Sequence, residues 1–349
     1  MKKAGPAPAS GAAFGFDVQP AWQRGDRQIE ADAIAMWARN GLLPPDVDPV
    51  SRAKELVAAA YKDDALAAVS TATIARVDAL RARFAIIRGA TDSAFRRSHA
   101  QLALAKPSRA ALQAWAKAHP AERLAGGVVF LERGEWGDFA RLPVWPESEL
   151  GLIGYDDLGR QVRAAWFDHF RYDSEEIHPP VATLAPELPA GLAIRPAWRR
   201  GHAALEADAV AFWNRLGILP RGIRAEERAK ELVAVAYRGD AIVGVITAQL
   251  VVLDQVRARL AMIRAAVDTD LRRTHLAFAL MLDARAMLEQ WSRANPDERL
   301  AGLGAVIEAP ELRAREVQPF WPLSRFGVIG YAPNGRQIRV SWFEDFRLD

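Results

Sequence analysis

The sequence predicts an α+β protein made of two tandem copies of one domain, each a mixed, mostly antiparallel sheet flanked by helices. Three observations predict it. Segments recur at a constant offset of 176 residues. Within each copy, strand-like apolar runs are interleaved with stretches of helical period. A Pro333-Asn334-Gly335 turn near the end sits between two more strand-like runs.

The repeat carries the domain organisation. Pro20-Ala21-Trp22 recurs as Pro196-Ala197-Trp198, and Ala53-Lys54-Glu55-Leu56-Val57 as Ala229-Lys230-Glu231-Leu232-Val233. Arg96-Arg97-Ser98-His99 recurs as Arg272-Arg273-Thr274-His275, and Gly159-Arg160-Gln161 as Gly335-Arg336-Gln337. Trp166-Phe167-Asp168 recurs as Trp342-Phe343-Glu344. No net insertion separates these anchors. At 349 residues the chain also exceeds what one core ordinarily spans. The expected division is a disordered tail over 1–13, a first domain over 14–173, a Pro-rich linker over 174–191 and a second domain over 192–349. That linker permits either pseudo-symmetric packing or separate domains.

Composition narrows the class. Half the residues are hydrophobic and 26% are charged, an ordinary globular profile. The absence of cysteine excludes disulfides, thiolate nucleophiles and Cys-based zinc sites, and fits a reducing cytoplasm. The start, Met1-Lys2-Lys3, leads into no apolar run, and no stretch of about 18 apolar residues predicts a membrane span. Net charge is +3, with arginines spread between carboxylates. Nucleic acid is therefore not expected as a partner, while an anionic small ligand suits the balance. A homo-oligomer is compatible with all of this.

The second copy shows the elements best. Leu192 to Pro196 is a short strand. Leu205, Ala209, Phe212, Trp213 and Leu216 form the apolar stripe of a helix ended by Gly217. Glu231 to Tyr237 and Ala241 to Leu253 make a hairpin around Arg238-Gly239-Asp240. Arg257 to Val267 adds a strand, a helix spans Thr274 to Ala294, and Asn295-Pro296 stops it. The run Ala305 to Glu308 is the next strand, and Phe326 to Tyr331 with Gln337 to Phe343 close the copy as a hairpin. On that last strand Ile338, Val340 and Trp342 take the core face, with Arg339 and Ser341 on the other. The paired tryptophans Trp22, Trp37, Trp145 and Trp166, with Trp198, Trp213, Trp321 and Trp342, are expected to pack the two cores.

This order resembles, twice over, the GNAT superfamily of acyl-coenzyme A-dependent N-acyltransferases. The resemblance rests on element order, the strand-to-helix junction and the closing hairpin. In that family the junction Arg/Gln-x-x-Gly-x-Gly/Ala offers backbone amides to the coenzyme A pyrophosphate. Here Val267-Asp268-Thr269-Asp270-Leu271-Arg272-Arg273-Thr274-His275-Leu276-Ala277 occupies it. The resemblance implies cofactor contacts from Val267, Arg272, Arg273, Thr274, His275, Leu276 and Ala277. A helix N-terminus and paired guanidinium groups suit a pyrophosphate on physical grounds as well. The departures are His275 at the first glycine and, in the first copy, Gln101 at the last small residue. The structural alternative is a capped helix, with Ser98 or Thr274 as N-cap and Ser98-x-x-Gln101 as a capping box. Pro107 is expected to interrupt the first copy's long helix.

The acid and base are less defined. Arg264 and Arg88 stand where the resemblance implies a glutamate base, and Phe320-Trp321 and Val144-Trp145 where it implies a tyrosine acid. Substitutes are Glu308 (Glu132 in the first copy), Tyr331 (Tyr155) and His275, a neutral imidazole at a helix start. Each has a bland alternative: an ion-paired carboxylate, a packing tyrosine and a structural histidine. No His/carboxylate spacing predicts a metal site. The expectation is transfer of an acyl group, acetyl foremost, from acetyl-CoA or another acyl-CoA to an amine of a small molecule or peptide. The second copy would hold the thioester and the first would be a degenerate scaffold. The alternative is a non-catalytic GNAT-like protein binding acyl-CoA or a partner protein.

Overall fold

The computed structural model describes residues 14–96, 98–132, 137–146, 148–179, 188, 190–272, 274–308 and 316–349. The expected tail, most of the linker, Arg97 and Arg273 lie outside them. The chain divides into two compact units, residues 1–136 with 144–180, and residues 137–143 with 181–349.

In the first unit β1 (Asp17–Pro20) is followed by α1 (Arg27–Asn40) and α2 (Pro49–Ala53). Asp26 caps α1 by accepting from the amides of Gln28 and Ile29, and Gly41 ends it at φ 59°. The stripe Ile29, Ala33, Met36 and Trp37 is buried on the sheet. Strands β2 (Leu56–Lys62), β3 (Ala65–Val77) and β4 (Ala82–Thr91) form a meander, α3 (Ala100–Ala118) crosses over, and β5 (Leu124–Leu131) returns. The hairpin β6 (Gly151–Tyr155) and β7 (Gln161–Trp166) closes the unit, while the short α4 (Asp138–Arg141) between β5 and β6 belongs to the second unit.

The second unit repeats this with β8 (Leu192–Pro196), α5 (Ala203–Leu216), α6 (Ala225–Ala229), β9 (Leu232–Arg238), β10 (Ala241–Leu253), β11 (Ala258–Val267), α7 (Leu276–Ala294) and β12 (Leu300–Val306). A two-residue β13 (Phe320–Trp321) then leads into the hairpin β14 (Phe326–Tyr331) and β15 (Gln337–Trp342). Strand order is β1-β2-β3-β4-β5-β7-β6 in the first sheet and β13-β14-β15-β12-β11-β10-β9-β8 in the second. All neighbours are antiparallel except β4 with β5 and β11 with β12. The predicted α+β class and mixed sheets are therefore present in each unit. Among the described residues no helix is long and apolar enough to cross a membrane.

Several local expectations need correction. Neither Ser98 nor Thr274 is the N-cap; the helices start one residue later, after His99 and His275, which make no side-chain cap. Thr274 Oγ1 instead donates to the Leu271 carbonyl and accepts from the Leu276 amide, and Ser98 Oγ donates to the Phe95 carbonyl. Pro107 does not interrupt α3, which runs 19 residues like α7. Its ring is buried against the sheet, and that packing offsets the lost helical hydrogen bond. The strand after α7 begins at Leu300 and ends at Val306, so Glu308 lies beyond it. Arg339 and Ser341 are 0% exposed, so both faces of β15 are buried. Arg339 is held there by the Trp321 ring, 3.9 Å from its guanidinium carbon, and by the Gln337 and Gln318 oxygens.

The turn after β7 carries a buried base with no hydrogen-bond partner on Nδ1 among the described residues, His169. Burial, with the Lys117 charge nearby, pushes its pKa down to about 4. The native state thus refuses a proton that the unfolded chain accepts near pH 6.5. Its stabilising effect is complete above that value and is lost as pH falls towards 4. Urea midpoints at pH 7 and pH 5 should therefore drop less for His169→Phe than for the unaltered protein; equal drops would contradict this. In the second unit Leu303 is fully buried in a continuous apolar core. Leu303→Ala should cost about 2–5 kcal/mol in chemical denaturation.

Candidate functional site

The single parallel junction of each sheet is where a site can form. Strands β4 and β5 pair only through Arg83–Leu124, Ala85–Gly127 and Ile86–Val128. Beyond that, β4 stays on β3 as far as Thr91, while β5 stays on β7 as far as Leu131. Each strand keeps its outer partner and loses its inner one, so the sheet opens into a V. Backbone N–H and C=O groups along the V have no ladder partner and need one. Strands β11 and β12 separate in the same way after Met262–Gly304.

The two units treat this opening differently. In the first it is hollow: a cavity of about 490 Å³ lies between β4, β5, β7 and α3. On the α3 side the stripe Gln101, Leu104, Ala105, Ser108, Arg109 and Leu112 lines it, spaced as one helix face. On the sheet side Ile87, Gly89, Gly127, Val129 and Leu131 line it. In the second unit the corresponding positions are filled. Leu303 replaces Gly127, Met281 replaces Ala105 and Phe326 replaces Leu150, and all three join one buried cluster with Leu280, Leu288 and Phe343. The strand glycine has moved by one residue, from Gly127 to Gly304, and successive residues of a strand face opposite sides. At Gly304 the space is taken by the Met262 thioether, 2.3 Å from where a Cβ would stand.

Polar groups in the first unit's cavity sit in three places. At its base the Ser70 and Ser108 hydroxyls are 2.7 Å apart and each 3% exposed. Arg109 is clamped by the Trp166 carbonyl at 2.8 Å, by Asp168 at 3.4 Å and by Glu149. At the mouth Glu132 accepts from Arg160 at 2.8 Å, and Arg160 also grips Asp156 at 2.7 Å. Arg88 stands on the same rim, half-exposed and 3.3 Å from the Thr73 hydroxyl.

The strand-to-helix junctions also differ. In the first unit the Gln101 amide nitrogen donates to the Ala90 carbonyl at 2.8 Å and to the Thr91 hydroxyl at 3.0 Å. Its oxygen lies 2.3 Å from the site of a Cβ on Gly89. Only glycine admits this, and the second unit has the opposite pairing, Ala265 with Ala277. Gln101 thus fills the space beside the first turn of α3. In the second unit that space is lined by Ala277, and the α7 geometry leaves the Ala277 and Phe278 amides pointing out of the helix end.

The predicted residues are dispersed between these features. Arg272, Thr274, His275, Leu276 and Ala277 do lie together at the α7 start, with Val267 at the end of β11; Leu276 is fully buried and His275 exposed. Arg273 lies outside the described residues. Glu308 is exposed, 3.7 Å from Arg336, and Tyr331 is half-buried at the end of β14. Glu132, the first-unit counterpart of Glu308, lines the cavity, as does Arg88. Sequence reasoning missed Ser70, Ala105, Ser108 and Gly127. The signal was present in the repeat: these stand opposite Ile246, Met281, Ala284 and Leu303, four small or polar residues against larger apolar or hydroxyl-free ones. Among the described residues no cluster of three His, Asp or Glu could hold a metal ion.

One parallel pair, a crossing helix and a sheet opened between them complete the pattern. Each unit is GNAT-like. No protein-family model matches the chain, and no curated protein matches it. Solved structures do. A GNAT-family acetyltransferase from Streptococcus pneumoniae is 16% identical over 44% of this chain and 99% of its own, with a TM-score of 0.30. The ribosomal-protein-S18-alanine N-acetyltransferase from Escherichia coli is 17% identical over 44% and 94%, with a TM-score of 0.28. N-acetylglutamate synthase from Neisseria gonorrhoeae, complexed with coenzyme A and L-arginine, is 14% identical over 44% and 34%, with a TM-score of 0.30. At these distances they carry no argument about activity, and the GNAT-like description stands on strand order and the opened parallel pair.

Gln101 and Gly89 form a complementary pair, so Gln101→Ala should open the first junction without loss of the fold. The expected outcome is an unchanged melting temperature with tighter binding of coenzyme A by calorimetry. Weaker binding would mean that the Gln101 amide is itself a ligand contact.

Proposed function

We propose that the protein is an N-acyltransferase that takes its acyl group from a coenzyme A thioester, with the hollow V of the first unit as the reaction site. The observation that carries this is the cavity at the separation of β4 and β5. A partly open, mostly apolar cleft bounded by strand edges with no ladder partner suits an extended, amide-bearing arm that ends in a thioester. Strand amides on the open edge of β4 would polarise the thioester carbonyl, where negative charge develops during attack.

The chemistry needs little covalent help. A neutral amine attacks the carbonyl carbon, the C–N bond forms, the C–S bond breaks, and the thiolate leaves. One proton must leave the attacking nitrogen. Glu132 is the carboxylate of the cavity lining and stands at the mouth where the acceptor enters, so it is assigned the proton-accepting role. Arg88 on the same rim favours an acceptor that carries a carboxylate. Positioning of amine and thioester supplies the remaining rate. The second unit, whose V is filled, serves as a packed structural copy, and its α7 N-terminus with Arg272, Thr274 and Ala277 remains a candidate anion site.

Gln101 favours a second reading. Because it occupies the space beside the α3 N-terminus, the first unit could hold an acyl-bearing ligand or a partner's acylated group without turnover. Transfer from radiolabelled acyl-CoA to a panel of amino acids and polyamines separates the two, since only the enzyme yields product. Ala105→Met, which copies Met281, should fill the cavity and abolish transfer while leaving the melting temperature equal or higher. Glu132→Gln should lower kcat about 10²-fold or more with a small change in thioester affinity. Retained transfer in the Ala105→Met protein would place the reaction elsewhere.

A further inference from the structure

The cavity holds a feature that acyl transfer does not require. Ser70 on β3 and Ser108 on α3 are buried at its base, and the second unit carries Ile246 and Ala284 in their places. Buried hydroxyls are costly unless their hydrogen bonds are made. The pair has two protons to place. One bridges the two oxygens at 2.7 Å, and among the described residues the only other contact is from Ser70 Oγ to the Ala58 carbonyl at 3.4 Å, long for an O–H donor. A hydroxyl proton and several lone pairs are therefore available to an occupant. The hydroxyls are present in the copy where the cavity is found and are replaced by Ile246 and Ala284 in the other.

We infer that Ser70 and Ser108 read the acyl group, and that the first unit takes an acyl chain longer than acetyl that bears a neutral hydroxyl or keto oxygen. This rests on the acyltransferase reading of the same cavity. Ile87, Leu104, Leu112, Val129 and Phe167 supply walls for a chain. The polar end must be neutral. The guanidinium in the lining nearest in sequence to Ser108, that of Arg109, is already committed to Glu149, Asp168 and the Trp166 carbonyl. A carboxylate beside Ser108 would gain no free guanidinium from Arg109, and Arg88 on the rim is left to the acceptor. Glu132, the carboxylate of the lining, is 59% exposed, so a cationic chain gains no counter-charge at the buried serines.

Binding of acetyl-, butyryl-, 3-hydroxybutyryl-, 3-oxobutyryl- and succinyl-CoA to the full chain, measured by calorimetry, tests this. One of the two oxygenated four-carbon thioesters should bind roughly 5- to 10-fold tighter than butyryl-CoA, the effect of one added hydrogen bond. Ser108→Ala, which copies Ala284 and so keeps the fold, should erase that preference while leaving butyryl-CoA affinity and the melting temperature unchanged. Equal affinity across the panel, tightest binding of acetyl- or succinyl-CoA, or equal weakening of all thioesters by Ser108→Ala would overturn the inference and leave the acyltransferase reading intact. Failure of coenzyme A and every thioester to bind would overturn both.

Discussion

The molecule turns on one interaction: the parallel pairing inside each sheet stops short while both of its strands keep their outer partners. In the first unit β4 stays on β3 and β5 stays on β7, while the ladder between β4 and β5 ends at Ile86 and Val128. The opening exposes strand edges and removes packing from under the crossing helix. A protein can meet that cost by filling the V with side chains or by keeping it for a ligand. This chain does both, once in each copy. Leu303, Met281 and Phe326 fill the second V; Gly127, Ala105 and Leu150 leave the first one hollow.

The frame around the two openings is nearly invariant, which isolates the difference. Arg39 pairs with Asp92 as Arg215 does with Asp268. Tyr61 donates to Asp32 as Tyr237 does to Asp208, and Arg83 pairs with Glu122 as Arg259 does with Glu298. Trp22 meets Trp115 edge-on as Trp198 meets Trp291. Buried Arg163 and Arg339 each lie over a tryptophan, and burial alone pushes Arg163 down to about 10. These shared contacts hold the same backbone twice. The identity of a few lining residues then decides whether a cavity exists.

The scaffold was legible in the sequence because period and turn chemistry are local. The offset of 176 residues, the helical stripe ending at Gly217 and the hairpin around Pro333-Asn334-Gly335 each carry their own geometry. The first unit's cavity was not, since the end of parallel pairing is a tertiary property that no local pattern encodes. Attention to the α7 junction, where Arg272 and Ala277 fit a phosphate-binding pattern, favoured the second copy. The decisive residues carry no charge: a glycine displaced by one position and a methionine reduced to alanine. Gln101 looked like a capping-box residue, yet its partners are the Ala90 carbonyl and the Thr91 hydroxyl on β4. The space left by Gly89 drew it there.

The central claim is that the hollow V of the first unit, and not the filled V of the second, receives a thioester. Amide hydrogen exchange followed by mass spectrometry, with and without saturating butyryl-CoA, addresses it in the intact chain. The account predicts slowed exchange in peptides spanning β4, the start of α3 and β5. Protection confined to β11, the start of α7 and β12 would contradict it.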